Sequence, residues 1–255
     1  MDRIVTICLA LIILLVAYLT GTTAFSVYTE SAYRNSITGT TGYSCTLTTD
    51  APLYNVTLFI PVPADSTGNS PTVSAFSAHG VEGVPEDWKT TLYDTGKATL
   101  IKVTVPAILP PEGTTKDHPY TIALSSESQQ HSAIETRDPA GSGAIYRPVQ
   151  GLTEYACTQL PAGSGGRCYS YTTSLFADYQ TTADTTVTIT SSVSGRNTWT
   201  IFGPQSNEYR TTVSATLEGE NHGWTTMNGD LTAGIGSYDI PPGPAASPGG
   251  DLKQP

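Results

Sequence analysis

Apolar and polar positions follow two different patterns along the chain. Ile4 to Leu19 form an uninterrupted apolar run, and small or weakly polar residues extend this run to Phe25. The 22 residues from Ile4 to Phe25 rise 1.5 Å each in a helix, enough to cross a hydrocarbon core of roughly 30 Å. The pattern predicts a single N-terminal transmembrane helix, which we assign to residues 1–24.

Beyond this run, apolar residues alternate with polar ones, as in half-buried β-strands. In the segment from Tyr54 to Val62, the even-numbered side chains share one face, and Asn55 and Thr57 lie on the other. The same alternation occurs at Ile101, Val103 and Val105, at Val187, Ile189 and Val193, and at Tyr209, Val213 and Leu217. The pattern predicts an all-β ectodomain with an antiparallel β-sandwich fold.

Turn-forming residues set the expected strand ends. Asn228-Gly229 is the strongest two-residue hairpin signal, and Asp94 to Lys97 and Gly195 to Asn197 predict further turns. No segment after residue 25 has a helical period over three turns.

The alternation also predicts which strands share a core. Trp199 and the strand from Tyr209 to Leu217 are expected to share one core.

A polar segment divides the predicted strands into two halves. Residues 25–124 form an N-terminal β half and residues 144–240 a C-terminal β half, joined by a linker or long loop at residues 125–143. One large sandwich and two small ones both fit this division. Residues 241–255, rich in Pro and Gly, are expected to be a disordered tail.

Composition supports the β prediction and excludes one class of partner. The chain has 41 Thr and 23 Ser in 255 residues and only 5 Lys. This composition suits pleated strands better than helices. Its net charge of −10 argues against nucleic acid, which requires a basic face.

The N-terminal segment is either a retained signal-anchor or a cleaved signal peptide. Thr22-Thr23-Ala24 offers small residues for cleavage near Ala24, whereas the length of the apolar run favours retention. In both cases the remainder lies outside the cell membrane, because Arg3 flanks the N-terminal side and the next basic residue is Arg34. A retained helix gives a single-pass membrane protein, and cleavage gives a secreted one.

Three of the four cysteines lie beyond the apolar run. Cys157 and Cys168 flank a Gly-rich loop, and this spacing predicts a disulfide-closed hairpin. A metal site is disfavoured because there is no CxxC motif and no nearby His. Cys45 is then unpaired and is expected to be buried as a small hydrophobic residue.

Candidate chemistry is otherwise sparse. Asn55-Val56-Thr57 is an N-glycosylation sequon whose Asn55 is expected to be exposed, making the chain a candidate glycoprotein. Scattered histidines, the lack of a GxSxG motif and the lack of a phosphate loop predict no catalytic residue, no metal and no cofactor. Trp224 is the candidate ligand-stacking ring, although most such rings fill a β core.

Two segments carry a resemblance to a group of proteins. Pro52 to Pro63 (PLYNVTLFIPVP) and Leu175 to Leu231 are similar to uncharacterised exported β-rich, membrane-anchored proteins of methanogenic archaea. The resemblance implies an archaeal envelope as the setting and implies no activity.

The sequence therefore predicts a membrane-anchored cell-surface protein with a structural or interaction role in the envelope. Its expected partners are the membrane, through the N-terminal helix, and envelope proteins or glycans. An extracellular glycan- or ligand-binding β-sandwich module is the alternative, and an extracellular hydrolase is a third interpretation. A contiguous exposed aromatic patch would favour the second, and a pocket with convergent carboxylates the third.

Overall fold

A computed structural model describes residues 2–238 except residues 66, 69, 80, 81, 96, 97, 142, 159, 161–164 and 183. The predicted tail at residues 241–255 and part of the Asp94 to Lys97 turn therefore lie outside the described residues. The helices are α1 (Asp2–Ser36) and α2 (Pro71–His79). The strands are β1 (Thr38–Thr49), β2 (Leu53–Pro61), β3 (Pro63–Ala64), β4 (Lys89–Asp94), β5 (Thr99–Ile108), β6 (Tyr120–Gln130), β7 (Ile145–Tyr146), β8 (Gln150–Tyr155), β9 (Arg167–Gln180), β10 (Thr186–Thr200), β11 (Pro204–Glu218) and β12 (Asn221–Gly236).

The described residues divide into two compact units. The first comprises residues 2–37, 198–206 and 237–238, and the second comprises Thr38–Asn197 and Asn207–Gly236. The predicted apolar helix is present but longer than expected, since α1 continues past residue 24 to Ser36. Its most apolar window has no buried side chain, as expected for a helix that lies in lipid or is a signal sequence.

The second unit is built on one curled antiparallel sheet. Nine strands follow the order β4-β5-β2-β9-β12-β11-β10-β1-β6, and β8 pairs with the remaining part of β9. The β-rich prediction is confirmed, whereas the predicted sandwich is not, because both halves of the chain contribute to this one curled sheet. The four strands β9, β12, β11 and β10 of the C-terminal half lie between two groups from the N-terminal half, β4-β5-β2 and β1-β6. The segment predicted as a linker begins within β6, which extends to Gln130.

The inner face of the sheet forms the core. Strand parity was a reliable guide here, since Val56, Val103, Val187 and Val213 are each almost fully buried. Three buried tyrosines, Tyr146, Tyr171 and Tyr209, form hydrogen bonds through their hydroxyls, and that of Tyr209 donates to the carbonyl of Ala144 at 2.7 Å.

Two of the predicted turns are wrong. Asn228-Gly229 lies in the middle of β12, and Gly195 to Asn197 lie within β10. Each glycine instead leaves space for an aromatic ring that packs against its backbone. A Cβ on Gly229 would lie 2.8 Å from the ring of Tyr171, and one on Gly195 would lie 2.2 Å from the ring of Tyr209. The missing side chain makes room for a tyrosine rather than for a turn.

One short helix was not predicted. Ser70 caps α2, because its Oγ accepts a hydrogen bond from the backbone N–H of Val73 at 3.2 Å, and Pro71 occupies the first helical position. This Ser-Pro pair is a typical helix start. The helix escapes a search for periodicity because it spans only 9 residues.

Hydroxyl side chains join β10 and β11 on the outer face of the sheet. Thr188 pairs with Thr216 at 3.3 Å, Thr190 with Ser214 at 2.9 Å, and Ser192 with Thr212 at 2.9 Å. We call these three pairs the hydroxyl ladder. Cross-strand hydroxyl pairs stabilise a sheet without charges, and this use explains part of the chain's high Thr and Ser content.

Candidate functional site

Four aromatic side chains form a continuous row on the outer face of the sheet. The ring of Trp224 lies 5.5 Å from that of Phe176, Phe176 lies 5.3 Å from Phe59, and Phe59 lies 5.4 Å from Tyr93. Each neighbouring pair meets edge to face, an arrangement that aromatic quadrupoles favour. We call Tyr93, Phe59, Phe176 and Trp224 the aromatic stripe.

Strand register builds this stripe. Phe176 on β9 lies directly opposite both Trp224 on β12 and Phe59 on β2. Their sequence neighbours Leu175 and Leu58 point inward and are buried, so alternation sends the aromatic rings outward. From β12 to β4 the stripe crosses four strand spacings, or roughly 19 Å.

The two ends of the stripe are exposed. Trp224 has 63 % and Tyr93 has 51 % of its surface accessible, whereas the two phenylalanines between them are half-buried. The ammonium group of Lys102 lies 5.6 Å from the centroid of Phe59, a cation–π contact on the same face. The stripe is thus a continuous row of rings that is open to solvent at both ends and is contacted by Lys102 at Phe59.

A polar pair borders the stripe. His222 and Asp178 lie opposite each other on β12 and β9, each two residues from an aromatic member. Nδ1 of His222 lies 2.7 Å from Oδ1 of Asp178, and this hydrogen bond raises the pKa of His222 above its ordinary value. Thr57 continues the polar row on β2. Flat apolar rings beside hydrogen-bonding groups suit a ligand with an apolar face and a polar edge.

Trp224, the predicted candidate ring, lies at one end of this surface. The other two tryptophans are buried, Trp88 at 8 % exposure and Trp199 at 2 %. Phe59, Phe176 and Tyr93 were missed, because nothing in their separate segments shows that register brings them together. The available signal was parity: Phe59 and Phe176 have the opposite parity to buried neighbours such as Leu58 and Leu175.

Asn55 is exposed on the outer face, and its Nδ2 donates to Oε1 of Gln180 at 3.2 Å. Glycosylation at this sequon remains a prediction. The backbone of Asn55 has a φ of 54°, and the pairing of β2 with β9 shifts register between Tyr54 and Thr57. This irregularity explains why the predicted face of Tyr54 is wrong: Tyr54 is exposed, and Leu53 is buried in its place.

Cys157 and Cys168 are joined by a disulfide. Cys45 is buried in the core, where desolvation raises the pKa of its thiol to about 12. A protonated, buried thiol is a poor nucleophile, so Cys45 is a packing residue.

A concave surface lies between α2 and the chain that follows β6. This open groove of about 480 Å³ includes Asp65 and Glu135. Both carboxylates are engaged in turns: Asp65 accepts from the backbone N–H of Thr67 at 2.8 Å, and Glu135 from that of Arg137 at 2.6 Å. No cluster of three metal-binding side chains occurs in the part of the chain that the structure describes.

No protein-family model, curated protein or solved structure matches the chain.

Proposed function

We propose that the chain is a membrane-anchored cell-surface protein with an interaction role in the envelope, and that the aromatic stripe binds neutral polysaccharide. The stripe is the observation that carries the proposal. Pyranose rings present a C–H face that stacks on aromatic rings and a hydroxyl edge that forms hydrogen bonds. The stripe offers exposed rings at Tyr93 and Trp224, and Asp178 and His222 supply polar partners beside them.

Charge narrows the class of ligand. The net charge of −10 disfavours acidic polysaccharides through long-range repulsion. The row of rings across several strands favours a chain of sugars over a single one. The resemblance to exported archaeal proteins implies only the setting, an envelope in which a polysaccharide would be within reach of the stripe.

Retention of α1 as a single-pass anchor is part of the proposal. The helix runs without a break through Ala24, and the apolar run from Ile4 to Phe25 is long enough to cross a membrane. The disulfide between Cys157 and Cys168 supports an oxidising location outside the cytoplasm.

The test measures binding of the full chain, in detergent micelles, to cellulose, chitin and a β-1,3-glucan as insoluble probes. We expect the chain to bind at least one probe, and Trp224→Ala and Tyr93→Ala each to weaken that binding about tenfold or more, which corresponds to 1.4 kcal/mol. Because both side chains are exposed, the melting temperature should not change. Thr226→Ala is the matched control, since Thr226 is exposed on the same strand and face.

Two results would overturn the carbohydrate assignment. One is equal binding by the parent protein, Trp224→Ala and Tyr93→Ala. The other is absence of binding to every probe while Trp224 becomes protected from acrylamide quenching at high protein concentration, which would make the stripe a protein contact.

A further inference from the structure

Phe202 is an exposed aromatic residue in a strained turn. It lies between β10 and β11 with a φ of 55° and has 73 % of its surface accessible. A residue with a Cβ rarely adopts this conformation, and a bulky apolar side chain there is a genuine outlier. Glycine or asparagine would adopt it more easily, so folding alone does not account for phenylalanine at this position.

The ring of Phe202 lies against the helix that carries the apolar run. Its centroid is 5.8 Å from that of Phe25, with the rings nearly parallel, and 5.6 Å from that of Tyr28. All three side chains are more than half exposed. The three rings form one cluster on the surface of the first unit, which we call the aromatic collar.

The collar lies where the apolar run ends. A span that begins at Ile4 covers about 30 Å by the position of Phe25, and Tyr28 is one turn further. Beyond Tyr28 the helix carries charged residues again, with Arg34 2.6 Å from Glu30. The order of apolar run, aromatic rings and ion pair is that of a helix leaving a membrane, because Tyr is enriched at the interface and Phe belongs to the apolar faces that bury into the boundary of headgroups and acyl chains.

Contacts further along α1 hold the turn in place. Trp199 packs edge to face on Tyr33 at 5.7 Å, and Ile37 and Ile201 complete this small buried cluster. The Oγ of Ser36 accepts a hydrogen bond from the backbone N–H of Thr200 at 2.9 Å. The depth of Phe202 in a membrane would therefore be fixed by the depth of the helix.

The turn segment is also uncharged. Residues 198–206 contain no Asp, Glu, Lys or Arg, in a chain whose net charge is −10. A neutral, apolar tip avoids both repulsion from anionic headgroups and the cost of moving charge into the interface.

We propose that the aromatic collar is a lipid-binding site: Phe202 inserts into the outer interfacial layer of the membrane beside Phe25 and Tyr28. The turn between β10 and β11 is then a second membrane contact besides the helix. The inference rests on the anchor part of the proposed function and is independent of carbohydrate binding. A lipid interface, rather than a second copy of the chain, is the occupant because the collar coincides with the end of the apolar run.

The test places tryptophan at the collar in full-length protein reconstituted in phosphatidylcholine vesicles. We expect the emission added by Phe202→Trp to fall roughly twofold when the lipid is brominated near the top of its acyl chains, as for an interfacial ring. Tyr93→Trp is the control for an exposed aromatic position on the sheet, and its added emission should not respond to brominated lipid. Circular dichroism checks that both variants fold.

Three results would contradict the proposal, and only the third would also contradict the membrane anchor. Phe202→Trp emission that is quenched by aqueous acrylamide but not by brominated lipid would place the ring in water. Protection from both quenchers would place the ring against protein, as in a dimer. Release of the intact chain by alkaline carbonate would contradict both the membrane anchor and the lipid contact of the collar. Retention of the chain in the membrane together with either of the first two results would contradict the lipid contact alone.

Discussion

At the scale of single residues, the two mid-strand glycines show how a small side chain positions a large one. Tyr171 is fixed above Gly229 by a 2.6 Å hydrogen bond between its hydroxyl and Thr211. Val213 approaches the same position from the adjacent strand. A methyl group at residue 229 therefore meets a ring and a branched side chain that have little freedom to move.

Gly229→Ala should lower the free energy of unfolding by about 1–3 kcal/mol, the usual cost of overpacking a core. Chemical denaturation with unchanged slope measures this loss. Gly203→Ala is the matched control, because no atom lies within 4 Å of the position its Cβ would take, and it should change stability by less than about 0.5 kcal/mol. Equal stability of the two variants would contradict the close packing of Tyr171 on Gly229.

The polar pair beside the stripe gives a pH prediction. The hydrogen bond to Asp178 raises the pKa of His222 above 6.5, and Glu220 adds a weaker effect from 3.9 Å. The folded-state pKa is raised, so the charged contact is fully present below about pH 6.5 and is lost as pH rises through the raised value. NMR titration should show a lower His222 pKa in Asp178→Asn and a smaller decrease in Glu220→Gln. An unchanged pKa in Asp178→Asn would show that the pair does not persist in solution.

At the scale of elements, the end of α1 and the ends of β10 and β11 form a cluster of their own. Trp199 is buried as expected, but it packs with Ile37 and Ile201 rather than with the core of Tyr209 to Leu217. The prediction of a shared core was wrong because parity shows which face a residue occupies but not what covers that face. The covering element, α1, is separated from Trp199 by more than 160 residues.

Trp199→Ala should therefore release the last turns of α1 while leaving the sheet folded. The local cost is about 3–5 kcal/mol, as for other buried aromatic deletions. Hydrogen exchange should accelerate at the Ile37 amide, which donates to the carbonyl of Tyr33 at 2.9 Å, and should stay slow in β9 and β12. Trp199→Phe is the control, since it keeps most of the packing and removes a buried indole N–H that has no described partner. Global unfolding of Trp199→Ala would instead support a shared core.

The elements also show what could be predicted from the sequence. Alternation predicted the buried faces of β2, β5, β10 and β11, because burial on one side of a strand leaves a direct two-residue pattern. Strand order could not be predicted, since it depends on long-range pairing such as that of β2 with β9. The aromatic stripe depends on that pairing, so only its terminal ring, Trp224, was identified.

At the scale of the whole molecule, the chain separates two kinds of exposed aromatic surface. The stripe belongs to the second compact unit and the collar to the first. The two proposals are therefore testable one at a time: variants of Trp224 should leave lipid contact unchanged, and variants of Phe202 should leave polysaccharide binding unchanged.

The hydroxyl ladder has a consequence for how the stability of this protein depends on salt concentration. Its pairs carry no charge, and ion pairs such as those of Arg34 and Arg210 involve exposed guanidinium groups that contribute little. Dissolved salt thus has few attractions to weaken, while it screens the mutual repulsion of a chain with net charge −10. The melting temperature should stay level or rise between dilute buffer and molar sodium chloride, and a fall would show that ionic attraction carries more of the fold than its neutral hydroxyl pairs do.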